Sequence, residues 1–381
     1  MNDNENTLSG MTTEETINYI NQSLDMGLAS SMPTDENSYN NSFETRMLKD
    51  GILIIPRMPA GYMIDNDFYQ KAFKVLSAAL YPQFTLLKQP SIYFVPIKTS
   101  DIHTQRGLFF PMKRGVPKRL IIPDLKKFVA NYQKNEIPIM QNFSISYKNI
   151  SSILVSGRTG SGKTYFMCYM LELMRALSDT APVSRVEPDS YMVVIDPKLD
   201  EPSRWARANG VKVIYPANNR SKSDFVSEVN TELSKGLNLI HERQRILFDN
   251  PNATFKTKVI VIDELASLNQ VNSSVKNSFQ SLLNQISLLG RQTHVLLLLA
   301  SQQFDHTVID TSTREQASVR ITLGNINRRT TQYLFPDLDP SGIVIPIGKG
   351  TGLIQVIDDE HPYQVQPLLC PTYYYREGKV L

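Results

Sequence analysis

The strongest constraint on the fold of this chain is a glycine-rich octapeptide at residues 157–164. Its sequence, Gly-Arg-Thr-Gly-Ser-Gly-Lys-Thr, fits the pattern G-x-x-x-x-G-K-[ST] at every fixed position. A short apolar run at 153–156 precedes it, and an apolar stretch that suits a helix follows from Tyr165. A strand, a glycine-rich loop and a helix in this order predict a P-loop, whose backbone wraps around phosphate groups.

Each residue type in the octapeptide has a physical reason to contact a nucleotide. The glycines let the backbone turn closely, so that successive N–H groups point at phosphate oxygens. We expect Lys163 to bring its charge to the β- and γ-phosphates and Thr164 to offer its hydroxyl to Mg²⁺. The residues predicted to bind the nucleotide are Gly157, Arg158, Thr159, Gly160, Ser161, Gly162, Lys163 and Thr164.

A second motif supplies acidic groups. The strand candidate at residues 258–262 runs directly into Asp263 and Glu264, which is the arrangement of a Walker B element. We expect Asp263 to hold Mg²⁺, directly or through water, and Glu264 to polarise the attacking water as a general base. An acidic pair after a strand is weak evidence by itself, but beside a P-loop it predicts hydrolysis. The sequence contains no Asn-Lys-x-Asp guanine motif, so ATP is expected rather than GTP.

A third candidate element follows the apolar run at residues 295–300. This run ends in Ser301, Gln302 and Gln303. A polar side chain at the end of the strand beside the Walker B strand can reach the γ-phosphate and the attacking water. Either Gln302 or Gln303 is therefore a candidate sensor of hydrolysis, and the alternative is a polar turn after a buried strand.

Short apolar strand candidates alternate with helix candidates from about residue 137 onward. Fully apolar strands separated by helices predict an α/β fold, a P-loop NTPase with a mostly parallel sheet and helices on both faces. The strands are predicted at 153–156, 191–195, 211–215, 258–262 and 295–300, and the helices at 163–177, 202–209, 224–248 and 274–289.

The chain is expected to contain three regions. Residues 1–45 are rich in Asn, Ser, Thr, Asp and Glu, and predict a disordered tail with one weak helix at 13–24, either a solvated arm or a docking segment. Residues 46–136 predict a smaller α+β region, with strands at 51–55 and 91–96 and a helix at 67–80. Residues 137–381 would form the ATPase motor domain.

Charge, cysteine content and hydropathy narrow the setting in which the chain works. The net charge of +3 neither requires nor excludes nucleic acid. Basic residues are in excess from Lys88 to Lys148, and they form either contacts to a phosphate backbone or a solvated face. No signal peptide or membrane-spanning run is visible, and Cys168 and Cys370 show no disulfide or zinc spacing, so a reducing, cytoplasmic setting is expected.

Several motifs in one order resemble the FtsK/HerA family of DNA-pumping ATPases, over roughly residues 137–357. They include a strand that ends in Asp-Pro-Lys, a Glu-x-x-Arg helix, an Arg-x-x-Gly-x-His stretch with its following strand, paired arginine segments and a glycine-rich closing hairpin. Thr293 and Ser301 depart from the Gly and Thr that are usual there. The matching segments are 194–198, 242–245, 290–303, 319–321, 327–330 and 348–353.

The resemblance implies a RecA/FtsK-like fold that assembles as a homo-hexameric ring, with ATP between subunits and duplex DNA in the central channel. An arginine of a neighbouring subunit would then complete each site and stabilise charge on the phosphoryl oxygens. The candidates are Arg291, Arg320, Arg328 and Arg329, of which Arg320 and Arg329 are favoured. Four further residues would either couple the nucleotide state to DNA contact or hold the domain as buried ion pairs: Asp196, Lys198, Glu242 and Arg245.

The same resemblance predicts an ATP-driven DNA translocase that serves the transfer or maintenance of a plasmid or conjugative element. The short stretch after the glycine-rich segment leaves no room for the C-terminal winged-helix module of chromosome translocases. Contacts to DNA should be mostly to phosphates, with little sequence preference. The alternatives are an ATP-gated coupling adaptor that links a relaxase–DNA complex to a membrane secretion channel, and a packaging or replication-associated ATPase. Recruitment to a membrane would need a partner.

Overall fold

The N-terminal part of the chain forms a lobe in which two helices pack on an antiparallel sheet. A computed structural model describes residues 8, 10–28, 43–57, 64–132, 135–147, 150–179, 190–217, 219–358 and 365–375. The strand β5 is the centre of the lobe, because β2, β3 and β4 all pair with it. The elements are α1 (Thr13–Leu28), β1 (Phe43–Met47), β2 (Gly51–Pro56), α2 (Asn66–Leu80), β3 (Phe84–Leu86), β4 (Phe94–Pro96) and β5 (Arg106–Arg114).

The helix α1 belongs to this lobe. Its residues Ile20, Leu24 and Leu28 are fully buried in the core shared with α2 and the sheet. Their spacing of four places them on one face of the helix, which is why a segment of polar composition folds here. The prediction of a disordered tail is therefore wrong for α1 and for β1, which begins at Phe43, while the helix predicted at 13–24 is confirmed. Residues 29–42 lie outside the described residues.

A connecting segment passes from the lobe to the unit that begins at residue 152 and contains the predicted P-loop, here called the ATPase unit. It consists of a short strand, a helix and a hairpin of two antiparallel strands. Its residues Ile122, Leu125, Ile137 and Ile139 are buried in the core on one face of the central sheet, so this segment packs with the ATPase unit rather than with the lobe. The elements are β6 (Ile121–Ile122), α3 (Leu125–Asn131), β7 (Glu136–Met140) and β8 (Phe143–Ser146).

The apolar runs of the second half form one sheet, whose order among the described residues is β11-β10-β12-β13-β9-β14-β15-β16. Strands β11 to β14 in this order are parallel, and β15 and β16 add antiparallel neighbours at one edge. The strands are β9 (Ser152–Gly157), β10 (Met192–Ile195), β11 (Lys212–Ile214), β12 (Lys258–Ile262), β13 (Val295–Ser301), β14 (Val319–Leu323), β15 (Thr351–Val356) and β16 (Val365–Leu369), and β17 (Thr372–Tyr373) pairs with β6.

Helices cover both faces of this sheet. Alternation along a strand divides the core: Val194 faces one helix layer, whereas Val193 and Ile195 face the other. The helices are α4 (Lys163–Asp179) and α5 (Glu201–Ala208) in the first layer, α6 (Lys222–Asp249) and α7 (Ser273–Thr293) in the second, and the short α8 (Thr311–Glu315) and α9 (Arg328–Thr331). The predicted α/β class with a mostly parallel sheet is thereby confirmed, and each of the five predicted strands occurs within one residue of its expected bounds.

The order of the strands fixes the place of the site. Strand β13 lies between β9 and β12 and pairs with both in parallel. Because parallel strands end at the same edge, the loop after β9, the acidic pair after β12 and the polar residues after β13 emerge side by side. Within the described ranges, no helix combines the length and the apolar character that a membrane span requires.

The lobe and the ATPase unit are joined partly through residues of the basic stretch. Lys88 is 1% exposed and exchanges backbone hydrogen bonds with Val365, and its Nζ lies 3.4 Å from Ser341 O. Burial lowers the pKa of Lys88 to about 8. Lys113 Nζ donates to Gln366 Oε1 at 3.0 Å. Both lysines tie the lobe to the ATPase unit. Lys88 is buried and does not contribute to an open basic face, whereas Lys113 remains exposed.

Candidate functional site

The octapeptide forms the loop between β9 and α4, at the carboxyl edge of the sheet. Gly160 and Gly162 have φ angles of 83° and 95°, which residues with a Cβ adopt rarely, so the loop depends on glycine at both positions. Lys163 and Thr164 begin α4 and line the cleft above the loop. The first N–H groups of a helix have no partner inside it, and they attract anions.

Ser161 gives a separate indication that the loop is shaped for a ligand. Its hydroxyl oxygen is buried and has no hydrogen-bond partner among the described residues. Its backbone carbonyl is already used, because it accepts a hydrogen bond from Gly350 N at 2.9 Å. A buried hydroxyl without a partner costs free energy, and a ligand or water in the loop would remove that cost.

Lys163 and Asp263 bring the two motifs together. Lys163 Nζ lies 2.9 Å from Asp263 Oδ1, and the two side chains are only 11% and 3% exposed. Burial raises the pKa of Asp263 above its ordinary value, although the Lys163 ammonium opposes that shift. The Thr164 hydroxyl lines the same cleft. Hydroxyl and carboxylate oxygens are the protein ligands that Mg²⁺ prefers, so Thr164 and Asp263 fit a magnesium ion.

Glu264 is held in a defined orientation. Its backbone is left-handed, with φ 58° and ψ 62°, which is uncommon for a residue with a side chain. Its Oε2 accepts from Lys198 Nζ at 2.6 Å, and its Oε1 accepts from Gln302 N at 3.3 Å and Ser301 Oγ at 3.5 Å. Burial raises the pKa of Glu264, but Lys198, the charge of Lys163 and the Gln302 N–H together lower it below its ordinary value. The Glu264 carboxylate is therefore ionised and held in one orientation.

A turn after β10 presents Lys198 to Glu264. The Asp196 carboxylate accepts from Lys198 N at 2.9 Å and from Asp200 N at 2.7 Å, and Asp196 is fully buried. Leu199 is left-handed, with φ 56°. Asp196 thus fixes the shape of the turn, whereas Lys198 touches the candidate base. Asp196 therefore shapes the turn through backbone contacts and Lys198 contacts the candidate base, while a role of this segment in coupling to DNA stays a prediction.

Both glutamine candidates line a second cleft, but only Gln302 also lines the cleft that contains the P-loop. Gln302 lines the cleft that contains the P-loop, and its backbone N–H donates a hydrogen bond to the Glu264 carboxylate. Gln303 lines a neighbouring cleft of about 650 Å³, together with Asn269 and Lys276. Strand β13 ends at Ser301, so the alternation of sides along the strand does not extend to these two residues. The geometry favours Gln302 over Gln303 as the residue near the γ-phosphate.

The four arginine candidates lie away from the cleft of their own subunit, since none of them lines it. Arg320 is engaged internally: its Nη1 and Nη2 donate to Leu334 O at 3.3 Å and Glu315 O at 3.0 Å, and burial lowers its pKa. Arg291, Arg328 and Arg329 are exposed. These contacts favour a structural role for Arg320 and leave Arg329 available for a neighbouring subunit.

The Glu-x-x-Arg helix segment does not supply the buried ion pair that the sequence allowed. Glu242 and Arg245 are both exposed on α6. The residue between them, Arg243, is instead fully buried, and its Nη1 donates to Thr293 O at 2.7 Å at the end of α7. Its guanidinium also lies over the Phe255 ring. Arg243 therefore positions the start of β13, and helical periodicity alone did not identify it.

Arg119 is a site residue that the sequence did not reveal. It lies in the connection between β5 and β6, yet its side chain lines the same cleft as the P-loop. Its Nη1 donates to Cys370 O at 2.6 Å and its Nη2 to Lys349 O at 2.8 Å. The adjoining Gly350, which follows Lys349, contacts the P-loop through Ser161 O. No motif surrounds Arg119, so only the folded chain identifies it.

The cleft has a volume of about 640 Å³, which is within the usual range for small-molecule sites. Acidic and polar residues line one end, a lysine and helix N–H groups the middle, and aromatic and basic residues the other end. This donor set fits a nucleoside triphosphate with its magnesium ion. The residues that show this division are Asp263, Glu264 and Gln302, then Lys163 and Thr164, then Tyr165 and Arg119.

Known proteins with similar sequences carry FtsK domains. The chain is 24% identical over 204 residues to the FtsK domain-containing protein YdcQ of Bacillus subtilis, a match that covers 53% of this chain and 40% of that protein. It is 22% identical over 233 residues to the DNA translocase FtsK of Streptococcus agalactiae, covering 58% of this chain and 28% of that protein. The chain is thus similar in sequence to proteins with FtsK domains. It therefore spans less than half the length of these two relatives, and no protein-family model matches it.

A solved structure shares the fold of this protein across nearly the whole chain. The monomer form of the pCW3 conjugation coupling protein TcpA with ATPγS superimposes with a TM-score of 0.50 at 17% identity, and the match covers 93% of this chain and 95% of that one. Coverage of this extent includes the N-terminal lobe as well as the ATPase unit. The fold of both parts therefore recurs in that protein.

Proposed function

We propose that this chain is an ATP-driven motor that moves along DNA. The observation that carries the proposal is the meeting of the P-loop Lys163 with Asp263 and Glu264 in one cleft, in a chain related to a DNA translocase. The relatives are matched over only part of their length, so the activity is inferred from the site and tested below.

Different residues of the site would bind the phosphates, hold the metal ion and activate the attacking water. The P-loop N–H groups and Lys163 bind the phosphates, and Lys163 would exchange its contact with Asp263 for one with the phosphate oxygens. Thr164 and Asp263 would hold Mg²⁺, which when bound neutralises phosphate charge. Glu264 orients a water molecule and accepts its proton, because its carboxylate is ionised and its orientation is set by three donors.

The position of the arginines and the names of the relatives support our proposals for assembly and DNA contact. Because Arg329 is exposed and remote from its own cleft, it suits a role in the site of an adjacent subunit, as a homo-hexameric ring would require. The streptococcal relative is named a DNA translocase, which supports DNA as the substrate. We propose contacts mainly to phosphates of duplex DNA, so binding should weaken steeply with salt and depend little on sequence.

The likeness to TcpA, which is described as a conjugation coupling protein, supports a role in the transfer of a plasmid or conjugative element. It also favours a second candidate function. In that case ATP binding gates the docking of a relaxase–DNA complex to a membrane channel, and movement along DNA is minor. The N-terminal lobe would then be the docking part.

One pair of assays separates the two functions. Purified protein is given duplex DNA that carries a third strand, and displacement of that strand is followed with ATP and with ATPγS. A motor displaces the strand only with ATP, and its hydrolysis rises with duplex length. A protein that hydrolyses ATP without displacing the strand at any duplex length would support the gate and contradict the motor.

A further inference from the structure

The cleft has a chemical end and a nucleoside end. Asp263 and Glu264 mark the first, because the γ-phosphate and the attacking water must lie beside them. A triphosphate that follows the P-loop past Lys163 then brings its α-phosphate to the first turn of α4, so the sugar and base extend beyond Tyr165. Five of the lining residues, including Tyr165, belong to this end, because hydrogen bonds join Arg119 to Cys370 and Lys349 and join Tyr165 to the segment that follows Cys370. They are Arg119, Tyr165, Lys349, Cys370 and Thr372.

Two hydrogen bonds hold the planar guanidinium of Arg119 in one orientation at this end of the cleft. Its two terminal nitrogens donate to the backbone carbonyls of Cys370 and Lys349, at 2.6 and 2.8 Å. Backbone carbonyls are rigid acceptors, so the guanidinium plane is set by the fold rather than by a flexible partner. A guanidinium whose edge is used in this way still offers its planar face, which stacks well on aromatic rings.

Tyr165 is equally fixed on the opposite element. Its ring stacks on Tyr373 with a centroid separation of 4.0 Å and an interplanar angle of 16°. Its hydroxyl donates to Tyr373 O and accepts from Tyr373 N at 2.7 Å. The ring is only partly buried, and it lines the cleft beside the P-loop. The nucleoside end therefore contains one immobile cation and one immobile aromatic ring.

We propose that Arg119 and Tyr165 form the base subsite of the nucleotide cleft, in which the guanidinium face of Arg119 stacks on the purine ring and Tyr165 forms the adjoining wall. The inference rests on the proposed function, since it assumes a nucleotide on the P-loop. It adds a source of affinity that acts on the base and not on the phosphates. It also places that source on the connection from the N-terminal lobe, which lies outside every motif of the ATPase unit.

The test compares a ligand with a base to a ligand without one. Binding of ATP and of inorganic tripolyphosphate is measured by calorimetry for the wild type, Arg119→Ala, Arg119→Lys and Lys118→Ala. Lys118 is the matched control, because it is an exposed cation one residue earlier in the same connection. We expect Arg119→Ala to weaken the binding of ATP about five-fold, because one stacking contact is lost, and to leave the binding of tripolyphosphate unchanged. Arg119→Lys keeps the positive charge but lacks the planar guanidinium, so it should also weaken the binding of ATP alone. Lys118→Ala should change the affinity for neither ligand.

Four results would overturn the base subsite, and only the last of them also overturns the proposed function. If Arg119→Ala and Arg119→Lys weakened the binding of both ligands equally, Arg119 would only support the P-loop, through the segment around Lys349. Unchanged ATP affinity in both variants would mean that the base lies elsewhere. Equal affinity of the wild-type protein for the two ligands would show that no base subsite exists, although the P-loop binds phosphates. If the wild-type protein binds neither ligand, the proposed function fails and the subsite fails with it.

Discussion

Lys198 Nζ lies 2.6 Å from Glu264 Oε2, so the candidate general base is held by a cation from the neighbouring strand end. The Glu264 side chain is 7% exposed and that of Lys198 is 46% exposed. The pair is therefore anchored on the glutamate side and open to solvent on the lysine side. Both residues also line the second cleft, which places this contact at the wall between the two clefts.

Lys198→Ala should lower kcat for ATP hydrolysis roughly ten-fold or more, because Glu264 would lose its shortest contact and its fixed orientation. KM for ATP should change little, because Lys198 bonds to the base and not to the P-loop. Lys198→Arg, which keeps a charged donor, should recover part of the rate. Steady-state kinetics of the three proteins measure this split. A rate above wild type in Lys198→Ala would instead mean that Lys198 restrains the base.

Glu264→Gln should bind ATP but hydrolyse it roughly a hundred-fold more slowly or worse, since an amide cannot accept the proton of the attacking water. The amide keeps the size of the carboxylate, so the P-loop should remain intact. Filter binding of labelled ATP and release of phosphate from the same sample measure the two properties. Hydrolysis at the wild-type rate would remove Glu264 from its assigned role.

Gln302→Ala and Gln303→Ala form a matched pair, because the two residues are adjacent in sequence but only Gln302 lines the cleft that contains the P-loop. We expect Gln302→Ala to lower kcat roughly ten-fold, since its side chain would no longer order the water near the γ-phosphate. Gln303→Ala should keep the basal rate without DNA. The comparison uses initial rates at saturating ATP, and the reverse order of effects would show that the sensor is Gln303.

Arg320 and Arg329 should separate stability from catalysis. Arg320→Ala should lower the free energy of unfolding by roughly 2 kcal/mol, because removing this half-buried charged donor leaves two backbone carbonyls without their hydrogen bonds from it. Arg329→Ala should leave the melting temperature unchanged and lower hydrolysis only at concentrations where subunits assemble. Thermal denaturation and the concentration dependence of ATPase rate test the two statements. A stable Arg320→Ala variant with lost activity would return Arg320 to the role of the arginine in trans.

Apolar runs and the octapeptide were sufficient to predict the central sheet. A fully buried parallel strand reads as a short apolar segment, and the P-loop, together with the strand before it and the helix after it, has a sequence pattern of its own. Strand β14 and the two antiparallel strands at the edge, β15 and β16, were not predicted as strands. The helix α1 was predicted but placed in a tail, because the polar composition around it concealed the spacing of Ile20, Leu24 and Leu28.

The parts of the site that the sequence missed depend on contacts between distant segments. Arg119 reaches the cleft only because β6 pairs with β17, which brings its connection beside Cys370. The choice between Gln302 and Gln303 depends on a turn after β13, where strand alternation no longer applies. Arg243 was passed over for Glu242 and Arg245 because the Glu-x-x-Arg pattern does not say which side of α6 faces the core.

The rate of ATP hydrolysis with and without duplex DNA tests the central claim most directly, with Lys163→Ala as the blank. Lys163 joins the P-loop to Asp263, so its removal should abolish binding of the triphosphate. We expect the wild-type protein to hydrolyse ATP above this blank and to do so faster when duplex DNA is added. A wild-type rate equal to that of Lys163→Ala, both with and without DNA, would contradict the account.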